Sequence, residues 1–359
     1  MIPAIEERLQ RNRDFLEGKE LKRPLTVVRL GGVFHSTAFN ATKPLISKGH
    51  IVTPDQIDVD AYLADYERMY QEICQVDMDG IFSADPCTGF PWMEGFLGAQ
   101  VVGSEVSFVS HPTMETEDLE NLAFDPNNPW ALKYLEFVEK LTDLSNGRFP
   151  VGQPIMRGVT DTVGSLIGQM DMIYAIMEEP ELTKKAFDVV ADTQRYIMEE
   201  HYKRIQPFHG GYVCGLYHVW GPGKFMWYQE DLCALLSPQQ YDDFIYDATC
   251  KRLAGYDYSL VHLHPASFFS LDSMLKVKDL DIVQINKDVG GPTVREMIPQ
   301  FLKVLEAGKK VQIGFAKLNQ DDIDAVFDCL PSSNVSLHIV ADNVKEAQQI
   351  MEYVNSRSR

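Results

Sequence analysis

The chain of 359 residues has six cysteines, Cys74, Cys87, Cys214, Cys233, Cys250 and Cys329, and no C-x-x-C pair among them. That scatter fits neither a secreted disulfide framework nor a paired-thiol redox centre, so reduced thiols, mostly packed in the core, are expected. Cys87 and Cys214 fall near strand ends and stay open as site residues. No run of about 18 apolar residues occurs, and the acid-rich start "MIPAIEERLQRNRDFLEGKE" has no apolar stretch of signal length, so a cytoplasmic protein is expected. A basic patch is also missing. With a formal net charge of -19 the chain repels phosphates and anionic lipid surfaces, which argues against nucleic acid or membrane and favours a small-molecule substrate. No G-x-G-x-x-G follows the first strand, which disfavours a dinucleotide-binding fold, and no sequence repeat of roughly 20 to 50 residues is present.

What is present is an alternation. Eight short apolar runs, "TVVRLGG" (26–32), "GIFSADP" (80–86), "FPVGQP" (149–154), "GYVCGLYHV" (211–219), "YSLVHLHP" (258–265), "DIVQIN" (281–286), "KVQIGF" (310–315) and "VSLHIVAD" (335–342), are separated by amphipathic segments. One of these, "SPQQYDDFIYDATCKRLAGYD", opens with Ser237 as a cap and Pro238 in the first turn. Strands alternating with helices predict an α/β chain closed as a (β/α)8 TIM barrel, one domain over 1–359 with a helical extension at roughly 1–22. An open α/β sheet is the alternative. Long loops follow strand one (33–56) and strand two (87–130). At the C-terminal face of a barrel such loops can cover an active site, or they can be plain surface insertions.

Strand side chains alternate between faces, so Val261 and Leu263 point one way while His262 and His264 point the other. The apolar pair suits the helix layer, which sends both imidazoles into the barrel, their α-carbons about 6.6 Å apart and able to reach one ion. His338, opposite in face to Leu337 and Ile339, supplies a third imidazole. The alternative is a set of hydrogen-bonded core histidines. Asp85 ends strand two, Gln284, Asn286 and Asp288 share one face, and Arg29 faces opposite Val28 and Leu30. Polar groups aimed into a barrel top are costly unless paired or functional, so their convergence marks a site.

The stretch from "YQEDLCALLSPQQYDDF" through "SLVHLHPAS" and "DIVQINKD" to "VLEAGKKVQIGF" resembles the uroporphyrinogen decarboxylase superfamily, as does the upstream "MDGIFSADP...EGFLGAQV". The order of elements matches over most of residues 60 to 345, closer to the corrinoid-protein and coenzyme M methyltransferase branch than to the true decarboxylases. The resemblance implies a TIM barrel with its site at the C-terminal mouth. The zinc methyltransferases of that superfamily carry a His-x-Cys on strand five and another Cys near strand eight. Here the first position reads His262-Leu263-His264, and His338 stands for the second. Imidazoles in place of thiolates make the site harder, which favours Lewis-acid work on an oxygen or a bound water. The decarboxylases' "RQAGRY" element is reduced here to "VVRLGGVFHS", keeping Arg29, and no basic pocket for a polyanionic porphyrinogen is visible.

The expected activity is therefore a methyltransferase using zinc or another divalent metal on a small methylated compound or methyl carrier. A corrinoid, if the reaction uses one, arrives on a separate protein. A carboxy-lyase acting on a small carboxylated substrate and a non-catalytic ligand-binding barrel are the alternatives. Asp85, Glu94 and Asp288 are the proton-transfer candidates, since a carboxylate in an apolar mouth can titrate near neutrality. Arg29, His218, Trp220, Trp227, Tyr228 and Asn286 are the substrate-binding candidates, the aromatic ones grouped in "GLYHVWGPGKFMWYQED" as either pocket wall or packed loop. Asp231 is either a helix cap or a residue that orients a metal-bound histidine.

Overall fold

The computed structural model describes residues 4–32, 34–316 and 319–358. Its strands in chain order are β1 (Leu25–Leu30), β2 (Ile51–Val52), β3 (Gln100–Gly103), β4 (Phe108–His111), β5 (Tyr212–Val213), β6 (Trp220–Gly221), β7 (Phe225–Gln229), β8 (Tyr258–Leu263), β9 (Ile282–Lys287), β10 (Lys310–Phe315) and β11 (Val335–Ala341). Six form one curled parallel sheet in the order β1-β11-β10-β9-β8-β7. Helices join the strands, and their starts carry the expected chemistry. Thr293 with Glu296 and Ser237 with Gln240 form capping boxes, while Asn343 caps Val344–Ser356. The helix opened by Ser237 passes through one π-helical turn at Tyr241–Ile245.

The regular ladder ends at six strands. Two further stretches lie between its edges through isolated contacts: Asp79 donates its amide to Thr26 (2.9 Å), Ala84 bridges Val151, and Arg157 bridges Gln229, all on the side where β1 and β7 are otherwise unpaired. Both long loops converge on one small antiparallel sheet, since β2 comes from the first and β3 and β4 from the second.

The expected fourth strand needs correction. Residues 211–219 do not join the main sheet, whose strand at that place is Phe225–Gln229, paired with Tyr258–His262. Gly215 (φ +33) and His218 (φ +53) break the extended backbone, and the Cys214 amide closes the turn on Val219 O at 2.7 Å. This turn packs against the lower interior of the curled sheet. Cys214, Tyr217 and Val219 pack there with Leu25, Phe225, Trp227, Leu260 and Ile282, and with Phe15 and Leu16 of the N-terminal helix Ile5–Leu16. Each large apolar side chain buried so completely contributes about 1.5–3 kcal/mol, which makes the lower half packed core. Polar chemistry is left to the C-terminal ends of the strands.

Candidate metal centre

At those ends β7, β8 and β9 run side by side, with Gln229 in register with His262 and His262 with Gln284. Val261 and Leu263 are buried in the main core, so the alternation does send His262 and His264 to the interior. Their Nε2 atoms lie 3.1 Å apart. His262 Nδ1 meets Gln284 Oε1, and the Gln284 amide is oriented in turn by donating Nε2 to Asn286 Oδ1 at 3.1 Å. His264 Nδ1 meets Asp288 Oδ1 at 2.7 Å. A carbonyl and a carboxylate oxygen only accept, so each Nδ1 carries its proton and each Nε2 of a neutral ring presents a lone pair. Two lone pairs facing at 3.1 Å repel unless a proton or a metal ion lies between them. The spacing is close to the edge of a tetrahedron with metal–nitrogen bonds of 2.0–2.1 Å, about 3.3 Å.

Asp231 completes the set. It lies two residues past the end of β7, and its Oδ1 is buried, with no hydrogen-bond partner among the described residues, 4.0 Å from His264 Nε2. Its Oδ2 accepts from Gln229 Nε2. Among the described residues, ligand atoms of Asp231, His262 and His264 all lie within 4.8 Å of one another. The Asp231 side chain makes no cap bond to the short helix Leu232–Leu235 that follows it, so the capping alternative is not realised. Burial holds His262 below the ordinary imidazole value, against the pull of Asp231, and so keeps it in the neutral form that binds metals. His264 and Asp288 are partly exposed, leaving one side open to solvent. Two imidazoles, one carboxylate, an orphaned buried oxygen and an oriented proton on each Nδ1 fit a divalent ion with an open position.

His338, expected as the third ligand, is outside this group. Its strand β11 is three places from β8 in the sheet, about 14 Å along it, whereas β7 is the direct neighbour. The Tyr217 ring stands between, 6.3 Å from the His262 ring and 5.4 Å from that of His338. Burial, with Arg29 and His218 nearby, pushes His338 well below the usual imidazole value, and its Nε2 has no hydrogen-bond partner among the described residues.

The other expected residues divide into three places. Asp288 and Asn286 belong to the centre through His264 and Gln284. Arg29, His218 and Asp85 line a separate cavity of about 30 Å³ together with His35, Tyr66 and Ser83. There burial lifts Asp85 to about 7, opposed by the Thr88 hydroxyl (2.6 Å) and Arg29, and lowers His218 to about 3. Glu94 is fully buried on the short helix Trp92–Phe96 and pairs with Arg157 at 2.7 Å.

The aromatic candidates do not form a pocket wall. Trp220 packs beneath the N-terminal helix with Leu9, Ile81 and Phe208; Trp227 is buried in the interior against Tyr217; Tyr228 points the other way, under the Arg252 guanidinium at 4.4 Å. Cys87 and Cys214 are buried, with burial pushing both thiols up and leaving them protonated. Tyr217, between the His262 and His338 rings, and Gln229, which donates to Asp231, are not singled out by the sequence. Only the polar Gln229, on the same face as the His262 row, carried a readable signal.

No protein-family model matches the chain, and no protein of curated function matches its sequence. Among solved structures, a methyltransferase from Methanosarcina mazei superposes with a TM-score of 0.65 at 12% identity, over 98% of this chain and 98% of its own. The two proteins share a fold across their whole lengths. A β-mannanase from a symbiotic protist of the termite Reticulitermes speratus aligns at a TM-score of 0.34 and 9% identity over 96% of this chain and 88% of that one, too low a score for any structural inference. Among the described residues no helix is long and apolar enough to cross a membrane.

Proposed function

We propose that this chain is a metal-dependent methyltransferase, zinc being the expected ion, that acts on a small methylated compound or methyl carrier. The observation that carries the reading is the pair of Nε2 atoms held 3.1 Å apart beside the Asp231 oxygen, three ligand atoms within 4.8 Å of one another. The full-length likeness to a methyltransferase supports the fold and, with it, the choice of reaction. We read that fold as one (β/α)8 barrel over 1–359, with residues 79–85 and 149–157 as its two irregular staves.

Asp231, His262 and His264 would hold the ion, which when bound supplies Lewis-acid activation of an acceptor or of a methylated substrate. Gln284 and Asp288 fix the two rings by accepting hydrogen bonds from their Nδ1–H groups. Asp288, partly exposed, holds the His264 Nδ1–H and can exchange a proton with solvent, and Asp85, near neutrality, can hold or release one in the interior. Glu94 is committed to Arg157. By the superfamily resemblance a corrinoid, where the reaction uses one, is carried by a separate protein, and the expected setting is the cytoplasm.

The test is metal-dependent demethylation of methylcobalamin by the purified protein, followed in the visible spectrum across thiol, amine and alcohol acceptors. Turnover that requires added zinc and vanishes in His262→Ala supports the reading. A second reading, a carboxy-lyase, is favoured by Arg29 and Asp85 lining one interior cavity, and release of carbon dioxide from small carboxylates without methyl transfer would select it.

A further inference from the structure

Asp231 owes its position to a clasp between two segments distant in sequence. Arg157 and Gln229 meet in one parallel bridge, the Gly158 amide donating to Gln229 O at 2.5 Å and the Gln229 amide to Met156 O at 3.2 Å. Each segment then caps the other with a carboxylate. Glu230 accepts from the amides of Val159 (3.2 Å) and Thr160 (2.8 Å) and from the Thr160 hydroxyl (2.5 Å), at the start of helix Val159–Ile167. Asp161, in the first turn of that helix, accepts from the amides of Asp231 (2.9 Å) and Leu232 (2.8 Å). Both carboxylates are buried, Glu230 at 0% and Asp161 at 5% exposure. Two bonds to successive amides hold the peptide planes on both sides of the Asp231 α-carbon, and with them the direction of the Asp231 side chain. The centre's histidines are fixed through their rings, whereas its carboxylate is held by Gln229 Nε2 at Oδ2 and through its backbone.

We propose that Asp161 is a positioning residue of the metal centre, acting through Asp231 by holding the Asp231 and Leu232 amides. The inference rests on the reading of Asp231, His262 and His264 as metal ligands. Asp161→Asn keeps the size of the side chain but turns an amide group toward one of the two N–H donors, so it opens one jaw of the clasp without a cavity.

The probe is Co²⁺ alone, titrated into metal-free protein, read by affinity and by the visible cobalt bands. Asp161→Asn is expected to weaken Co²⁺ binding by about 10- to 100-fold, the range for residues that support ligands without touching the metal. Its cobalt spectrum should move toward that of Asp231→Asn. In the Asp231→Asn background the same substitution should have no further effect, because the residue it acts through is gone. Thr160→Val, which removes one bond from the opposite jaw, should lower affinity severalfold in the wild-type background only, and it serves if Asp161→Asn does not fold. Wild-type affinity in both variants, or an equal loss with and without Asp231, overturns the proposal while leaving the metal centre standing. Failure of the wild type to bind Co²⁺ removes the metal reading, and this inference with it.

Discussion

Gly158→Ala reverses the usual sign of a glycine replacement. Gly158 has φ -76, which any residue adopts, so the ordinary expectation is a gain of about 0.4–1 kcal/mol from a stiffer unfolded chain. The clasp changes that. A methyl group here would lie 2.0 Å from Glu230 Oε2 and 2.6 Å from the Gln229 backbone oxygen. The backbone oxygen cannot yield without breaking the bridge, and clearing the carboxylate moves it by more than about 1 Å. Glu230 would then lose at least two of its three bonds to Val159 and Thr160, each worth about 1.5–3 kcal/mol to a charged acceptor. It would also move from Arg252, now 3.6 Å away and fully buried. A net loss of about 3–5 kcal/mol is expected, read as a fall in the urea midpoint of metal-free protein. A midpoint at or above that of the wild type would refute the clasp as a rigid element.

Two further outcomes are expected. Burial lifts Asp85 to about 7, whereas an unfolded aspartate titrates near about 3.9. The folded state therefore keeps a proton that the unfolded state has released, and stability falls as pH rises between those values. Asp85→Asn should leave the urea midpoint unchanged near about pH 4 and raise stability by a few kcal/mol near about pH 8; a pH-independent difference would contradict it. Gly314→Ala would put a methyl group 2.2 Å from both Gln284 Nε2 and Asn286 Oδ1, displacing the amide that orients His262. Metal affinity should fall about tenfold with the fold intact, and unchanged affinity would separate Gln284 from the centre.

Much of this was legible because strand geometry is periodic. Alternation in "SLVHLHP" gave the directions of His262 and His264, and the same rule put Gln284, Asn286 and Asp288 on one face, where the hydrogen bonds now find them. Alternation gives a face but not a neighbour. His338 points inward as expected, yet it stands three strands from His264, while Asp231 follows the strand beside it. That choice depends on sheet order, which sequence spacing does not encode. The fourth strand was misplaced for a local reason: "GYVCGLYHV" has strand composition, but its left-handed Gly215 and His218 fold it into a turn. Asp161 was invisible because its partners are backbone amides 70 residues away.

The most direct measurement is bound metal by elemental analysis of untagged protein, wild type beside His262→Ala, His264→Ala, Asp231→Asn and His338→Ala, with folding checked for each. Near one zinc or other divalent ion per chain, lost in the first three variants and kept in His338→Ala, is the predicted result. A wild type that holds no metal and takes up none on reconstitution, or a His338→Ala variant that loses it, would contradict the centre described above.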